Sequence, residues 1–159
     1  MVYRSSSFQS TKEYGAALAR FILERGPRSK GAVVIALSGN LGAGKTTFMQ
    51  GFLKACGVRK GGTSPTFILV HAYRLKKMPF VGLQHCDLYR IKSVKELKQL
   101  GFYEIINNED NIVCIEWPER IKKYLPKSTI WIDMKHVGNS HERTLRFRGV
   151  PTASLRVLA

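Results

Sequence analysis

The chain has 159 residues, 44% of them hydrophobic, which indicates one globular domain with a substantial core. No apolar run approaches the roughly 20 residues that span a bilayer, and no apolar signal region follows the first residues, so neither a membrane protein nor an exported one is expected. Lysine and arginine number 26 against 11 acids, a formal net charge of +15. This charge favours binding of polyanions such as RNA, but a basic surface that merely contacts solvent would explain it equally well.

The three cysteines predict neither a disulfide framework nor a metal site. Cys56, Cys86 and Cys114 are odd in number, are not spaced as metal-binding pairs, and fall within predicted helices or strands. We therefore expect buried, reduced thiols in a cytoplasmic protein.

The first predicted elements are an edge strand and an amphipathic helix. Residues 2–8 are expected to form the strand. Ser10-Thr11-Lys12-Glu13 has the pattern of a capping box, with Ser10 as the capping residue of the helix. Apolar residues follow at helical spacing, and Gly26-Pro27 is expected to end the helix.

The next stretch has the pattern of a phosphate-binding loop. Gly39-Asn40-Leu41-Gly42-Ala43-Gly44-Lys45-Thr46 is a Walker A sequence, and Thr47 follows it. Its glycines allow backbone N–H groups to converge on a phosphate, Lys45 brings a positive charge, and the Thr46 hydroxyl suits Mg²⁺. The apolar run 32–37 predicts a buried strand before the loop, and residues 46–56 predict a helix after it. A nucleotide site is expected, the alternative being a glycine-rich turn that happens to contain Lys-Thr.

A polar turn and a hairpin are predicted after Gly57, which is expected to cap the helix. Ser64-Pro65-Thr66 is a rigid turn with two hydroxyls, suited either to sensing a terminal phosphate or merely to starting strand 67–73. Residues 74–79 predict a turn and residues 80–87 the next strand. Because too few residues separate the strands for a helical crossover, they are expected to pair antiparallel.

Short helices and one apolar strand are predicted next. Ser93-Val94-Lys95-Glu96 is a second capping box, opening a helix that runs to Gly101, and residues 102–106 predict another helix. Residues 111–116 form an apolar strand that ends in an acid, and Pro118 is placed to begin the following helix.

A closing hairpin completes the predicted fold. Residues 129–137 and 143–148 alternate apolar and polar side chains around a turn, as antiparallel strands do. The fold class predicted is a single α/β domain with a mixed sheet over residues 1–149, followed by a tail over residues 150–159.

Two acids stand at the ends of predicted strands, Asp87 and Glu116. A phosphate loop needs such a carboxylate to hold Mg²⁺ and to orient the attacking water, and ligands of open α/β sheets bind beyond the carboxyl ends of the strands. Alternatively, Asp87 is only a turn residue at the end of its strand, and Glu116 is only a structural acid. His85 is expected to be a core histidine bonded to backbone, and Trp117 is either a core anchor or a stacking surface.

Four sequence blocks together resemble the TsaE family, also called YjeE, whose members are P-loop ATPases required for the threonylcarbamoyladenosine modification of tRNA. Weaker similarity between the blocks extends the resemblance over residues 5–148. The blocks, in chain order, are residues 39–47, Ser64-Pro65-Thr66-Phe67, His85-Cys86-Asp87-Leu88-Tyr89-Arg90 and Glu116-Trp117.

The resemblance implies a three-layer P-loop NTPase with a mixed parallel and antiparallel sheet, using ATP or ADP and Mg²⁺. It implies that Thr46 and Glu116 bind the metal and that Asp87 acts near the phosphates. With Lys45, the two acids are the expected catalytic groups.

Further roles are implied for residues outside the loop. Thr11 and Arg143 are implied nucleotide contacts. Thr66 is implied to lie in a switch-like loop, with Trp117 close to the site. The partners implied are TsaD and TsaB, whose complex the ATPase acts on, and hydrolysis without them is expected to be slow.

Two other functions are left open by the residues. A small-molecule kinase on the same fold would need an acceptor pocket and an arginine-bearing lid over ATP. A nucleotide-responsive RNA-binding module would account for the net charge of +15, through contact between tRNA and a basic surface.

Overall fold

A mixed β-sheet forms the centre of the computed structural model, which describes residues 2–27, 30–59, 70–91, 93–138 and 141–151. The strands are β1 (Val2–Ser5), β2 (Val33–Ser38), β3 (Val70–Arg74), β4 (Gly82–Asp87), β5 (Asn111–Glu116), β6 (Ile130–His136) and β7 (Arg143–Arg148). Within the described residues these seven strands lie in the order β1-β7-β6-β2-β5-β4-β3. Strand β2 pairs parallel with β5 and β6, and β4 pairs parallel with β5. The outer pairs β3–β4, β6–β7 and β1–β7 are antiparallel, so both predicted hairpins are confirmed.

Helices pack on both faces of the sheet. They are α1 (Phe8–Arg25), α2 (Lys45–Ala55), α3 (Val94–Gln99), α4 (Phe102–Asn107) and a 3₁₀ helix (Pro118–Tyr124). Helices α1 and α2 pack on one face, around buried Leu18, Phe48 and Phe52. Helices α3, α4 and the 3₁₀ helix pack on the other, around Phe102 and Ile121. The predicted three-layer α/β fold with a mixed sheet is confirmed.

Two glycines let α1 and α2 touch through their backbones. A Cβ on Gly51 would lie 1.9 Å from the carbonyl oxygen of Lys12, and one on Gly15 would lie 2.1 Å from that of Phe48. Real Cβ atoms do not approach so closely, so any other residue would push the helices apart. This contact fixes the position of α2, whose N-terminus carries the phosphate loop.

The prediction that Ser10 caps the first helix is wrong. Helix α1 is capped by Ser7, whose backbone is extended and whose Oγ accepts a 3.0 Å hydrogen bond from the Ser10 N–H. Ser10 therefore lies inside the first turn, and Glu13 accepts from the Gln9 side chain at 3.0 Å. Because the helix begins earlier than predicted, β1 is also shorter and ends at Ser5.

The other predicted helix starts are closer to the structure. Ser93 is the N-cap of α3, but its Oγ donates to Glu96 Oε1 at 3.1 Å instead of capping the backbone. Pro118 begins its helix as predicted, although the helix is 3₁₀. Strand β4 starts at Gly82, two residues later than predicted.

Some predictions fall outside the described residues. These are the turn Ser64-Pro65-Thr66, the first part of strand 67–73, and residues 152–159 of the tail. Among the residues that the structure describes, no helix has the length and apolar character that crossing a membrane requires.

Candidate nucleotide-binding site

A cavity of about 460 Å³ lies between the phosphate loop and the carboxyl ends of β4 and β5. Parallel pairing of β2, β4 and β5 brings the ends of these three strands to the same edge of the sheet. The residues that line it are Phe8, Leu41, Gly42, Ala43, Gly44, Lys45, Thr46, Thr47, Asp87, Tyr89, Glu116, Trp117 and Arg143. Depressions of about 760 and 860 Å³ elsewhere on the surface contain neither Lys45 nor a strand-end acid. Of these three, only the cavity of about 460 Å³ therefore combines Lys45 with the strand-end acids Asp87 and Glu116.

The phosphate loop depends on glycine at two positions. Gly44 has φ 98°, and a Cβ there would lie 2.7 Å from Arg143 Nε. A Cβ on Gly39, at φ 145°, would lie 2.4 Å from the Met134 carbonyl oxygen. Helix α2 begins directly after Gly44, with no side chain capping its first N–H groups. Those N–H groups and the positive end of the helix dipole are suited to an anion.

Lys45 is held over the loop. Its side chain is buried, and Nζ donates to the carbonyl oxygens of Gly39 at 2.6 Å and Asn40 at 3.1 Å. The same nitrogen lies 3.7 Å from the centre of the Trp117 ring. Burial lowers the pKa of Lys45, and the nearby carboxylates, Glu116 foremost, partly oppose this effect. The ammonium thus lies in a site that disfavours uncompensated positive charge, which an anionic ligand would relieve.

Two buried carboxylates stand side by side at the end of the sheet. Asp87 and Glu116 are direct neighbours in the parallel register of β4 and β5 and are 5% and 2% exposed. Asp87 Oδ1 accepts from the Tyr89 N–H at 3.0 Å, so this acid also shapes the turn that follows its strand. Glu116 Oε1 lies 2.9 Å from His85 Nε2. The prediction that His85 bonds backbone is wrong, because its partner is this carboxylate.

Trp117 is part of the cavity wall. Its backbone is left-handed, with φ 60° and ψ 55°, a conformation that costs a non-glycine residue on the order of 1–3 kcal/mol. The ring is half-buried, and its centroid lies 5.0 Å from that of Tyr89. A hydrogen bond of 3.3 Å from the Trp117 N–H to the Leu37 carbonyl oxygen holds the turn. Trp117 is therefore a stacking surface for Lys45 as well as a packed residue.

Arg143 enters the cavity from the closing hairpin. It is 2% exposed, donates from Nη1 to the His141 carbonyl oxygen at 2.7 Å, and places Cζ 4.6 Å from the centre of the Phe8 ring. Its Nε is buried and has no hydrogen-bond partner among the described residues. A buried, incompletely satisfied guanidinium beside Gly44 is suited to a further anionic group.

The sequence did not indicate two residues near the loop. Phe8 lines the cavity with its ring half exposed, and His136 Nε2 lies 2.6 Å from the Gly42 carbonyl oxygen. An aromatic residue at a helix start and a histidine at a strand end are both common, so no local pattern marks either of them.

Two predicted nucleotide contacts, Thr11 and Asn40, are not part of the cavity lining. Thr11 is fully buried, with Oγ1 2.7 Å from Ser5 Oγ and donating to the Ser7 carbonyl oxygen at 3.0 Å, so it ties β1 to α1. Asn40 lines the depression of about 760 Å³ and a smaller one of about 400 Å³ beside Tyr89 and Trp117. Ser64, Pro65 and Thr66 lie outside the described residues. A nucleotide contact by Thr11 stays a prediction.

The cavity lining offers the Thr46 hydroxyl and the carboxylates of Asp87 and Glu116 as oxygen donors. Within the described ranges, no three histidine, cysteine or acidic residues are grouped so as to hold a metal by themselves. Mg²⁺ is usually bound by one or two carboxylates together with substrate phosphates, so this donor set fits that cation bound jointly with a nucleotide.

A strand, a glycine loop and a helix, with acids at the ends of neighbouring strands, define the class: this is a P-loop protein of the α/β type. The chain belongs to the TsaE family, because residues 5–145 match the model for the threonylcarbamoyl adenosine biosynthesis protein TsaE. That family acts in the biosynthesis of threonylcarbamoyladenosine in tRNA.

Individual relatives agree with the family match. The chain is 37% identical to TsaE of Rickettsia bellii over 131 residues, which is 82% of this chain and 83% of that protein. It is 32% identical to TsaE of Bacillus subtilis over 148 residues, covering 93% and 85%. The crystal structure of YdiB from Bacillus subtilis is similar with a TM-score of 0.68 and 25% identity, covering 99% of this chain and 90% of that one.

Proposed function

We propose that the protein is a Mg²⁺-dependent ATP hydrolase that serves tRNA threonylcarbamoyladenosine biosynthesis together with a TsaD–TsaB complex. One observation carries the proposal: Lys45, the phosphate loop and the adjacent acids Asp87 and Glu116 line a single cavity. Lys45 and the loop are needed to bind a phosphate chain, and the two acids are needed in addition to hydrolyse it.

The residues present fit the proposed ligands. The N–H groups at the start of α2 and the left-handed Gly44 form a concave surface for phosphate oxygens. Arg143 presents a buried Nε without a partner among the described residues beside Gly44, where an anion would satisfy it. Thr46 and Glu116 offer the hard oxygen ligands that Mg²⁺ prefers.

Each group has a role that follows from its chemistry. Lys45 neutralises charge on the outer phosphates, and Thr46 with Glu116 would hold Mg²⁺. The metal, when bound, supplies charge neutralisation at the phosphates. Asp87 is an acceptor able to orient the attacking water, and its backbone contact with Tyr89 fixes its direction. Trp117 covers Lys45 and limits access of bulk water to the ammonium.

A partner surface is consistent with the residues around the cavity. Leu41, Tyr89 and Phe8 are large apolar or aromatic residues at the cavity, exposed by 83%, 55% and 51%. Exposed apolar groups around a site favour burial by another protein. We infer that TsaD–TsaB contacts this rim and completes the site, so that hydrolysis by the isolated protein is slow.

The test is ATP turnover by the purified protein alone, with TsaD–TsaB, and with TsaD–TsaB and tRNA. Stimulation of phosphate release by the pair is the expected result. Transfer of phosphate to a metabolite instead of water would favour a kinase. Absence of turnover in every mixture, with ATP binding intact, would contradict the hydrolase proposal and leave a nucleotide-responsive binding protein.

A further inference from the structure

The outer three strands carry a polar side that the helices do not cover. Residues directly opposed in adjacent strands point to the same side of a sheet. The register of β1, β7 and β6 therefore places eight side chains on one side, here called the open face: Val2, Arg4, Trp131, Asp133, Lys135, Thr144, Arg146 and Arg148.

The open face is exposed because the second helical layer ends beside it. Helices α3, α4 and the 3₁₀ helix pack over β4, β5 and β2. The apolar cluster beneath that layer contains no described residue of β6, β7 or β1, although Lys122 of the 3₁₀ helix reaches Trp131 at the edge of the open face. The opposite side of the same strands is apolar and buried against α1 and α2, through residues such as Met134, Leu145 and Phe147. One apolar and one solvated side is the usual arrangement for antiparallel strands, but here the solvated side is strongly basic.

Four cations and one acid make up the charge of the open face. Arg148 Nη2 donates to Asp133 Oδ2 at 2.9 Å, which occupies the acid. Arg4, Lys135 and Arg146 are exposed and form no ion pair with any described residue. Trp131 lies beside Arg148 at one end of the face, half-buried, with Arg148 Cζ 5.8 Å and Lys122 Nζ 5.7 Å from its ring centre. A basic sheet surface that also carries an aromatic ring is suited to a phosphate backbone with unstacked bases.

The open face also adjoins the phosphate loop. A depression of about 760 Å³ extends from Asp133, Lys135 and Arg146 to Gly39 and Asn40. The neighbouring His136 contacts the Gly42 carbonyl oxygen at 2.6 Å. A ligand on this face would therefore touch strand β6 where that strand supports the nucleotide loop.

We propose that the open face binds the phosphodiester backbone of tRNA. Charge complementarity argues for a polyanion, and membership of a family that acts in tRNA modification narrows the polyanion to tRNA. Arg4 and Arg146 bind phosphates, and Trp131 offers a stacking surface. The proposal does not depend on ATP hydrolysis, since none of these residues lines the nucleotide cavity.

A second basic depression provides the matched control. The groove between α1 and α2, about 860 Å³, contains the cations Lys12, Arg20, Lys54 and Arg59 with the acid Glu13. It has the same balance of charge as the open face but no aromatic residue. If charge alone governs tRNA binding, removing cations from either surface should weaken it equally. The proposal predicts weaker binding only when the cations of the open face are removed.

The experiment measures binding of fluorescently labelled, unmodified tRNA to the purified protein without ATP, by anisotropy over a series of salt concentrations. The double variant Arg4→Gln/Arg146→Gln is compared with Arg20→Gln/Lys54→Gln. Each phosphate contact contributes about 0.7–0.9 to the slope of log affinity against log salt, so losing two lowers the slope by about 1.4–1.8. We expect this loss, with weaker binding, only for Arg4→Gln/Arg146→Gln. Thermal unfolding and ATP turnover without tRNA are expected to match the wild type in both variants.

Three results would overturn the proposal. The first is absence of tRNA binding by the wild-type protein even at low salt. The second is a change of slope for Arg20→Gln/Lys54→Gln that equals or exceeds the change for Arg4→Gln/Arg146→Gln. The third is normal tRNA binding by Arg4→Gln/Arg146→Gln together with lost binding to TsaD–TsaB, which would make the open face a protein-binding surface. Because ATP is absent, failure of the hydrolase proposal leaves this measurement unaffected.

Discussion

His85 and Glu116 are joined by a contact of 2.9 Å between Nε2 and Oε1, and both side chains are almost completely buried. The contact follows from the parallel pairing of β4 and β5, in which His85 lies two residues before Asp87, the direct neighbour of Glu116. An ionised carboxylate only accepts hydrogen bonds, so Nε2 is the donor. His85 Nδ1 is buried without a partner among the described residues, so Glu116 is the only hydrogen-bond partner that these residues give the ring. His85 therefore orients the acid proposed to bind Mg²⁺.

Replacing His85 tests this orienting contact. Outer hydrogen-bond partners of metal ligands commonly contribute a factor of about 10–100 in metal affinity. His85→Ala is expected to raise by that factor the Mg²⁺ concentration that supports half-maximal ATP turnover. His85→Gln keeps an N–H donor and is expected to retain most of the affinity. If both variants unfold at similar denaturant concentrations and lose Mg²⁺ affinity equally, the ring acts by packing alone.

Lys45→Ala is expected to abolish ATP binding, measured by calorimetric titration. Among the described residues, Lys45 is the only lysine of the cavity lining, and the N–H groups of α2 that remain offer only partial charge. Lys54→Ala is the control, because Lys54 is exposed on the same helix and lies outside the cavity. Retained ATP affinity in Lys45→Ala would show that the cavity is not the nucleotide site.

Glu116→Ala is expected to bind ATP but to lose most of its hydrolysis. Removing the acid also leaves the buried His85 donor unpaired, at a cost of about 1–3 kcal/mol in stability. Glu116→Gln avoids that loss, since its amide oxygen still accepts the hydrogen bond, and it is expected to be equally inactive. Turnover is measured with TsaD and TsaB present, with Glu104→Ala as a control at an exposed acid of α4. Near-normal turnover in Glu116→Gln would remove this residue from the catalytic groups.

Gly51→Ala is expected to lower the free energy of unfolding by about 1–3 kcal/mol, as overpacking does. Helix propensity alone predicts the opposite, a gain of roughly 1 kcal/mol. The contact should prevail, because the new Cβ would meet the Lys12 backbone oxygen at 1.9 Å and backbone cannot rotate away. Urea denaturation of Gly51→Ala beside Lys54→Ala measures the difference. A net gain in stability would mean that α1 and α2 separate without cost.

The buried thiols predict a loss of stability in alkali. Burial raises the pKa of Cys86 from 9.0 to about 12, so above pH 9 the unfolded chain loses this proton while the folded chain keeps it. The folded state then binds more protons, and stability falls with rising pH, by up to about 1.4 kcal/mol per pH unit for each such thiol. In Cys86→Ala under reducing conditions, urea denaturation should give a shallower decline than in the wild type. Lys45, whose pKa is lowered from 10.5, opposes the decline equally in both proteins. Parallel declines would contradict the prediction.

The sequence alone determined the nucleotide loop and the order of strand, loop and helix around it. It also determined both hairpins and the acids at two strand ends. These features are local: a glycine pattern, an apolar run or an alternation of side chains specifies each of them over a few residues. The family resemblance rests on the same local blocks, and the match over residues 5–145 confirms it.

Only the tertiary structure decided which of these residues touch. Register between distant strands joined His85 to Glu116, and the packing of α1 and of the closing hairpin brought Phe8 and Arg143 to the cavity. The choice of Ser7 over Ser10 as the cap also depended on where β1 stops. The open face exists because one helical layer ends at β2 while the sheet continues. Such relations depend on contacts between residues far apart in the chain, which no local pattern encodes.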